Sequence, residues 1–110
     1  MEALVTWLRL RGIRHNATPN GGFRHKSTAG KLKEQGVVSG FPDLTIWPPL
    51  DAAKRPILFI EMKRVKGGTV SSEQKEWIEY LTALSGFHRV EVQVCKGFEE
   101  ARKFILQWGY

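Results

Sequence analysis

The chain of 110 residues is 42% apolar with four tryptophans and a formal net charge of +6, enough material for one domain, residues 1–110, that builds its own core. No apolar run approaches the roughly 20 residues of a membrane helix, and the charges scattered through MEALVTWLRLRG do not follow a secretory signal. Cys95 is the single cysteine and excludes both a disulfide framework and a zinc knuckle, so an intracellular, cytoplasmic protein with one core thiol and no membrane partner is expected.

In chain order, residues 2–11 place Leu4, Val5, Leu8 and Arg11 on one helical face, with Gly12 as terminator. Residues 13–27, rich in Gly, Asn and basic side chains, read as a long loop, and a short polar helix is predicted from about Thr28 to Gln35. DLTIW (43–47) alternates like a strand and the PPLD turn ends it; ILFIEMK (57–63) is a second strand. Residues 72–84 return to helical spacing behind Ser71, VEVQV (90–94) is a third strand, and Phe98, Ala101, Ile105 and Trp108 mark a closing helix. The order predicts an α/β domain with a mixed central sheet flanked by helices.

Charge is unevenly placed. Residues 1–35 hold seven Lys or Arg against two acids, a net of +5 from a third of the chain. Within it Asn20, Arg24, His25, Lys26, Lys31 and Lys33 suit contacts to phosphate, the main source of sequence-independent affinity for nucleic acid; a solvated basic surface is the plainer alternative. GFRHK and AGKLK lack the G-x-x-x-x-G-K-[ST] pattern, so no nucleotide cofactor is expected.

Strand alternation puts Ile57, Phe59, Glu61 and Lys63 on one side of the second strand and Leu58, Ile60 and Met62 on the other. Charges at the end of so apolar a strand are costly unless paired. If the two strands pair side by side, Asp43 at the start of the first meets Glu61. Two carboxylates, with the backbone carbonyl of Met62 beside them, suit a hard divalent cation such as Mg²⁺ or Mn²⁺. Lys63 is placed to orient water or to stabilise negative charge on a phosphoryl oxygen. Against this stands a surface Glu61–Lys63 ion pair with Asp43 as a turn residue; the apolar strand and the P-D before it favour the site.

The run GVVSGFPDLTI, ILFIEMKRVKGGTVSSEQKEWIEYL and the later VEV strand resembles the VRR-NUC branch of the PD-(D/E)-x-K nucleases over roughly residues 18–105, including PNGG at 19–22. The resemblance implies a restriction-endonuclease-like fold, a divalent metal and cleavage of branched DNA. Small stand-alone members, frequently phage-borne, are implied to be homodimeric Holliday junction resolving enzymes. It implies Asp43 and Glu61 as metal ligands, Lys63 as the catalytic lysine and Gln74 as the glutamine that follows on the next helix. Read from its neighbours alone, Gln74 also completes a capping box with Ser71, and one side chain is not expected to serve both roles fully. The family's further acidic residue from the first helix has only Glu2 as a counterpart, which is equally well a favourable acid in a first helical turn.

Trp7, Trp77 and Trp108 fall on apolar helical faces. Trp47, before the proline turn, and nearby Phe41 are expected to offer apolar surface to a partner subunit. The expected activity is therefore a metal-dependent, structure-specific DNA endonuclease, with a four-way junction as substrate. A flap or nicking endonuclease, or a non-catalytic DNA-binding module on the same fold, are the alternatives.

Overall fold

The computed structural model describes residues 1–19, 30–31 and 33–110. Its elements are α1 (Glu2–Leu10), β1 (His15–Ala17), β2 (Leu44–Ile46), β3 (Ile57–Lys63), α2 (Ser72–Leu84), β4 (Val90–Lys96) and α3 (Phe98–Gln107). The four strands form one sheet in the order β1-β2-β3-β4. β1, β2 and β3 run antiparallel to their neighbours, and β4 lies parallel to β3 after the α2 crossover.

The predicted alternation of β3 sets the two layers. Leu58 and Ile60, with Leu44 and Ile46 of β2, are fully buried in a core shared with Leu4 and Leu8 of α1 and Ala101, Phe104 and Ile105 of α3. Trp7 packs edge-on to Phe98, joining those two helices. The opposite face of the sheet carries Phe59, Thr45 and Glu61, and α2 covers it: Phe41 stands edge-on to both Phe59 and Trp77, with centroids 5.8 and 4.9 Å apart. Phe41 therefore belongs to the interior packing between sheet and α2. Phe59 faces the same side as Glu61, and Phe41, itself half-buried, covers it.

β1 is the element that the sequence reading takes for loop. HNA is polar and its strand lies at the sheet edge, so no apolar alternation marks it. Backbone bonds at both ends hold it in place: Thr18 N–H donates to the Asp43 carbonyl (2.8 Å) and Trp47 N–H to that of Arg14 (2.9 Å). The predicted helix at 28–35 starts outside the described residues, but Gly30, Lys31, Lys33 and Glu34 are helical. Cys95 is fully buried, and burial raises its thiol to about 11, as a core thiol requires. Among the described residues no helix is long and apolar enough to cross a membrane.

Candidate active site

Because β2 and β3 are antiparallel, with Leu44 opposite Ile60, the residue before β2 falls beside the last residues of β3. Asp43 is thereby set against Glu61 and Met62, and its Oδ2 accepts a hydrogen bond from Met62 N–H at 2.8 Å. On an extended strand the N–H and carbonyl of one residue point to the same side. The Met62 carbonyl thus faces Asp43 beyond the start of β2, while the next carbonyl, of Lys63, turns to β4 and accepts from Gly97 N–H (3.1 Å).

Glu61 is only 1% exposed. Its Oε1 accepts from Gln74 Nε2 at 2.8 Å and lies 3.6 Å from Lys63 Nζ. Its Oε2 is buried and receives no donor among the described residues. Burial above all, then the negative charge of Asp43 and a hydrogen bond to it, push the Glu61 carboxyl up to about 7, with Lys63 pulling the other way. The Glu61 carboxyl thus holds a proton more readily than a solvated glutamate does.

Gln74 serves both roles that the sequence sets against each other. Its Oε1 accepts from Ser71 N–H and from Lys63 Nζ, each at 2.8 Å, while its Nε2 donates to Glu61. Ser71 Oγ accepts from Gln74 N–H (3.2 Å) and closes the capping box. An amide oxygen has two lone pairs and an amide nitrogen two protons, so cap and site contact coexist. The start of α2 is tied to the end of β3 through one side chain.

Gly40 brings the Asp43 turn onto the same helix end. Its φ is +86°, and a Cβ there would sit 2.6 Å from the Glu73 backbone carbon. A glycine before F-P-D reads in sequence as a turn former; that the turn lies against α2 is visible only in the fold.

Glu2 is exposed on α1, and among the described residues no three His, Cys, Asp or Glu side chains converge. It is therefore not brought to Asp43 and Glu61. Lys31 and Lys33 are exposed; Asn20, Arg24, His25 and Lys26 lie outside the described residues. Trp47 is 38% exposed, beyond the end of β2 remote from Asp43.

Two carboxylates at adjoining strand ends, a lysine two residues on, and a crossover helix covering them define a nuclease-like α/β fold. The VRR-NUC domain model matches residues 3–99, and the chain belongs to that family of nuclease domains. A solved structure described as a "VRR_NUC domain protein" is 26% identical and superposes with a TM-score of 0.64, over 86% of this chain and 66% of that one. The present chain thus spans just under two-thirds of that protein's length. No curated protein matches the chain.

Proposed function

We propose that residues 1–110 form one divalent-metal-dependent endodeoxyribonuclease domain that cuts branched DNA inside the cell, with the four-way junction as its preferred substrate. The observation that carries this reading is the buried Glu61 carboxylate, one oxygen held by Gln74 and the other facing no donor, beside the carboxyl of Asp43. Such a pair is a poor structural arrangement, because burial and the neighbouring Asp43 charge both disfavour the Glu61 carboxylate; it is a good donor set for a hard cation, which would offset that repulsion.

Asp43, Glu61 and the Met62 carbonyl would hold Mg²⁺ or Mn²⁺. When bound there, the cation supplies Lewis-acid polarisation of the scissile phosphate and acidifies a bound water. Gln74 fixes the Glu61 carboxylate and holds Lys63 Nζ at the edge of the site. From that position the lysine can donate to the attacking water or to a phosphoryl oxygen that gains charge. Lys31 and Lys33, with Asn20, Arg24, His25 and Lys26, would supply phosphate contacts along the DNA.

The test is cleavage of labelled four-way junction, flap, nicked and linear duplex DNAs with Mg²⁺, Mn²⁺ or chelator. Junctions should be cut only with metal. Asp43→Asn, Glu61→Gln and Lys63→Ala should each lower the rate by at least ~100-fold while DNA binding persists. Wild-type cleavage in any two of the three would end the site assignment. Equal cutting of flaps or nicked duplex would favour the flap or nicking nuclease, and binding without cleavage under every metal would leave a DNA-binding module.

A further inference from the structure

The end of the sheet remote from Asp43 and Glu61 holds an open concavity of about 1060 Å³. The turn after α1, the exit of β2 and the last two residues of the chain surround it. Arg11, Arg14, Arg55, Trp47, Leu50 and Tyr110 line it, and none of its lining residues is acidic. Arg55 is partly satisfied, by Asp51 Oδ2 at 3.1 Å and the Gly109 carbonyl at 2.7 Å. Arg11 stacks over Trp7. Arg14 is exposed and has neither an ion pair nor a side-chain hydrogen bond among the described residues.

The walls are held before any ligand arrives. The Trp47 indole N–H donates to Asn16 Oδ1, the Arg14 carbonyl accepts from Trp47 N–H, and the Tyr110 hydroxyl donates to the Pro56 carbonyl. An exposed indole on a rigid base, flanked by Arg11 and Arg14, neither of which is in an ion pair among the described residues, is what an unpaired nucleic-acid strand needs: cations for its phosphates and a flat ring for a base. An enclosed small ligand would need walls on all sides, and this surface is open. β3 runs from Ile57 at this concavity to Glu61 at the carboxylates, so the two lie ~13 Å apart along the strand at about 3.3 Å per residue.

We propose that this concavity binds a single DNA strand, with Arg11 and Arg14 on phosphates and Trp47 stacked on a base, ~13 Å along the sheet from the site of cleavage. That the strand belongs to the substrate rests on the nuclease reading above; the binding itself does not.

The experiment reads binding by anisotropy of a labelled oligothymidylate of about 12 nucleotides, in the Asp43→Asn background so that nothing is cut, with iodouracil photocrosslinking to locate the contact. Adding R11A and R14A should weaken binding at least tenfold and reduce the salt slope by about 1.4, at ~0.7 per phosphate on a single strand. The crosslink should fall on Trp47, and W47A should lower affinity at least fivefold. Arg11, Arg14 and Trp47 are exposed, and unchanged thermal melts would show that the variants fold. Unchanged affinity and slope, or crosslinks confined to residues 20–35, would overturn the proposal. So would sedimentation in which W47A splits a dimer while strand binding per protomer is retained, since the face would then join two copies. Strand binding through Arg14 and Trp47 in a wild-type protein that cuts no DNA would support the binding face and retire the nuclease reading alone.

Discussion

Glu61 is the residue on which stability and chemistry pull in opposite directions. Its carboxyl titrates at about 7 in the folded chain against an ordinary 4.5, so between those values the folded protein binds the extra proton. Stability without metal is therefore full below 4.5 and declines as pH rises to about 7, by on the order of 3 kcal/mol in all. Glu61→Gln has no charge to desolvate. Urea melts without divalent cation should show it more stable than wild type at pH 8, by an amount of that order, with the difference closing near pH 4.5. Parallel pH profiles for the two proteins would mean that Glu61 is not under electrostatic strain. A residue that destabilises the metal-free domain and lies beside a second carboxylate is understandable as part of a site kept for function.

At the level of elements, the active end depends on how α2 meets the turn before β2. Gly40 and Gly36 both have positive φ, +86° and +92°, yet only Gly40 abuts another backbone, while nothing lies within 4 Å of the Cβ position at Gly36. Alanine at Gly36 should cost only the left-handed backbone penalty of about 1–2 kcal/mol and leave cleavage per folded molecule unchanged. Alanine at Gly40 adds a clash with Glu73 and must push α2 away from the Asp43 turn. It should cost more than that range and, because Gln74 moves with the helix, slow single-turnover cleavage at least tenfold in the molecules that remain folded. Equal effects of the two alanines on the rate would show that the α2 contact does not position the site.

The whole molecule offers one Asp43, Glu61 and Lys63 set, while a four-way junction is resolved by two cuts on strands related by an approximate two-fold axis. A C2 pair of chains supplies two sites in that relation. Sedimentation should accordingly report twice the 12.5 kDa chain mass, and a plasmid carrying an extruded cruciform should go directly to linear product through paired cuts. Long-lived nicked circles made by a 12.5 kDa species would instead identify a monomeric nicking enzyme.

How much of this could be read from the chain follows from the range of the interactions concerned. Helix α2 with its Ser71 cap, the alternation that puts Glu61 and Lys63 on the side opposite Ile60, and the nearness of Asp43 to Glu61 are set by residues a few positions apart or by the pairing of two successive strands. Those were legible in FPDLTI, ILFIEMK and SSEQ. Strand β1 was not, because an edge strand as polar as HNA owes its conformation to flanking backbone bonds, Thr18 to Asp43 and Trp47 to Arg14, between segments far apart in the chain. Nor were the three simultaneous bonds of Gln74, the inward turn of Phe41, the separation of Glu2 from the carboxylates or the basic concavity around Arg14 and Trp47. Each is a meeting of segments distant in sequence, and only the tertiary packing of α1, α2 and the sheet decides which side chains are buried, paired or left facing solvent.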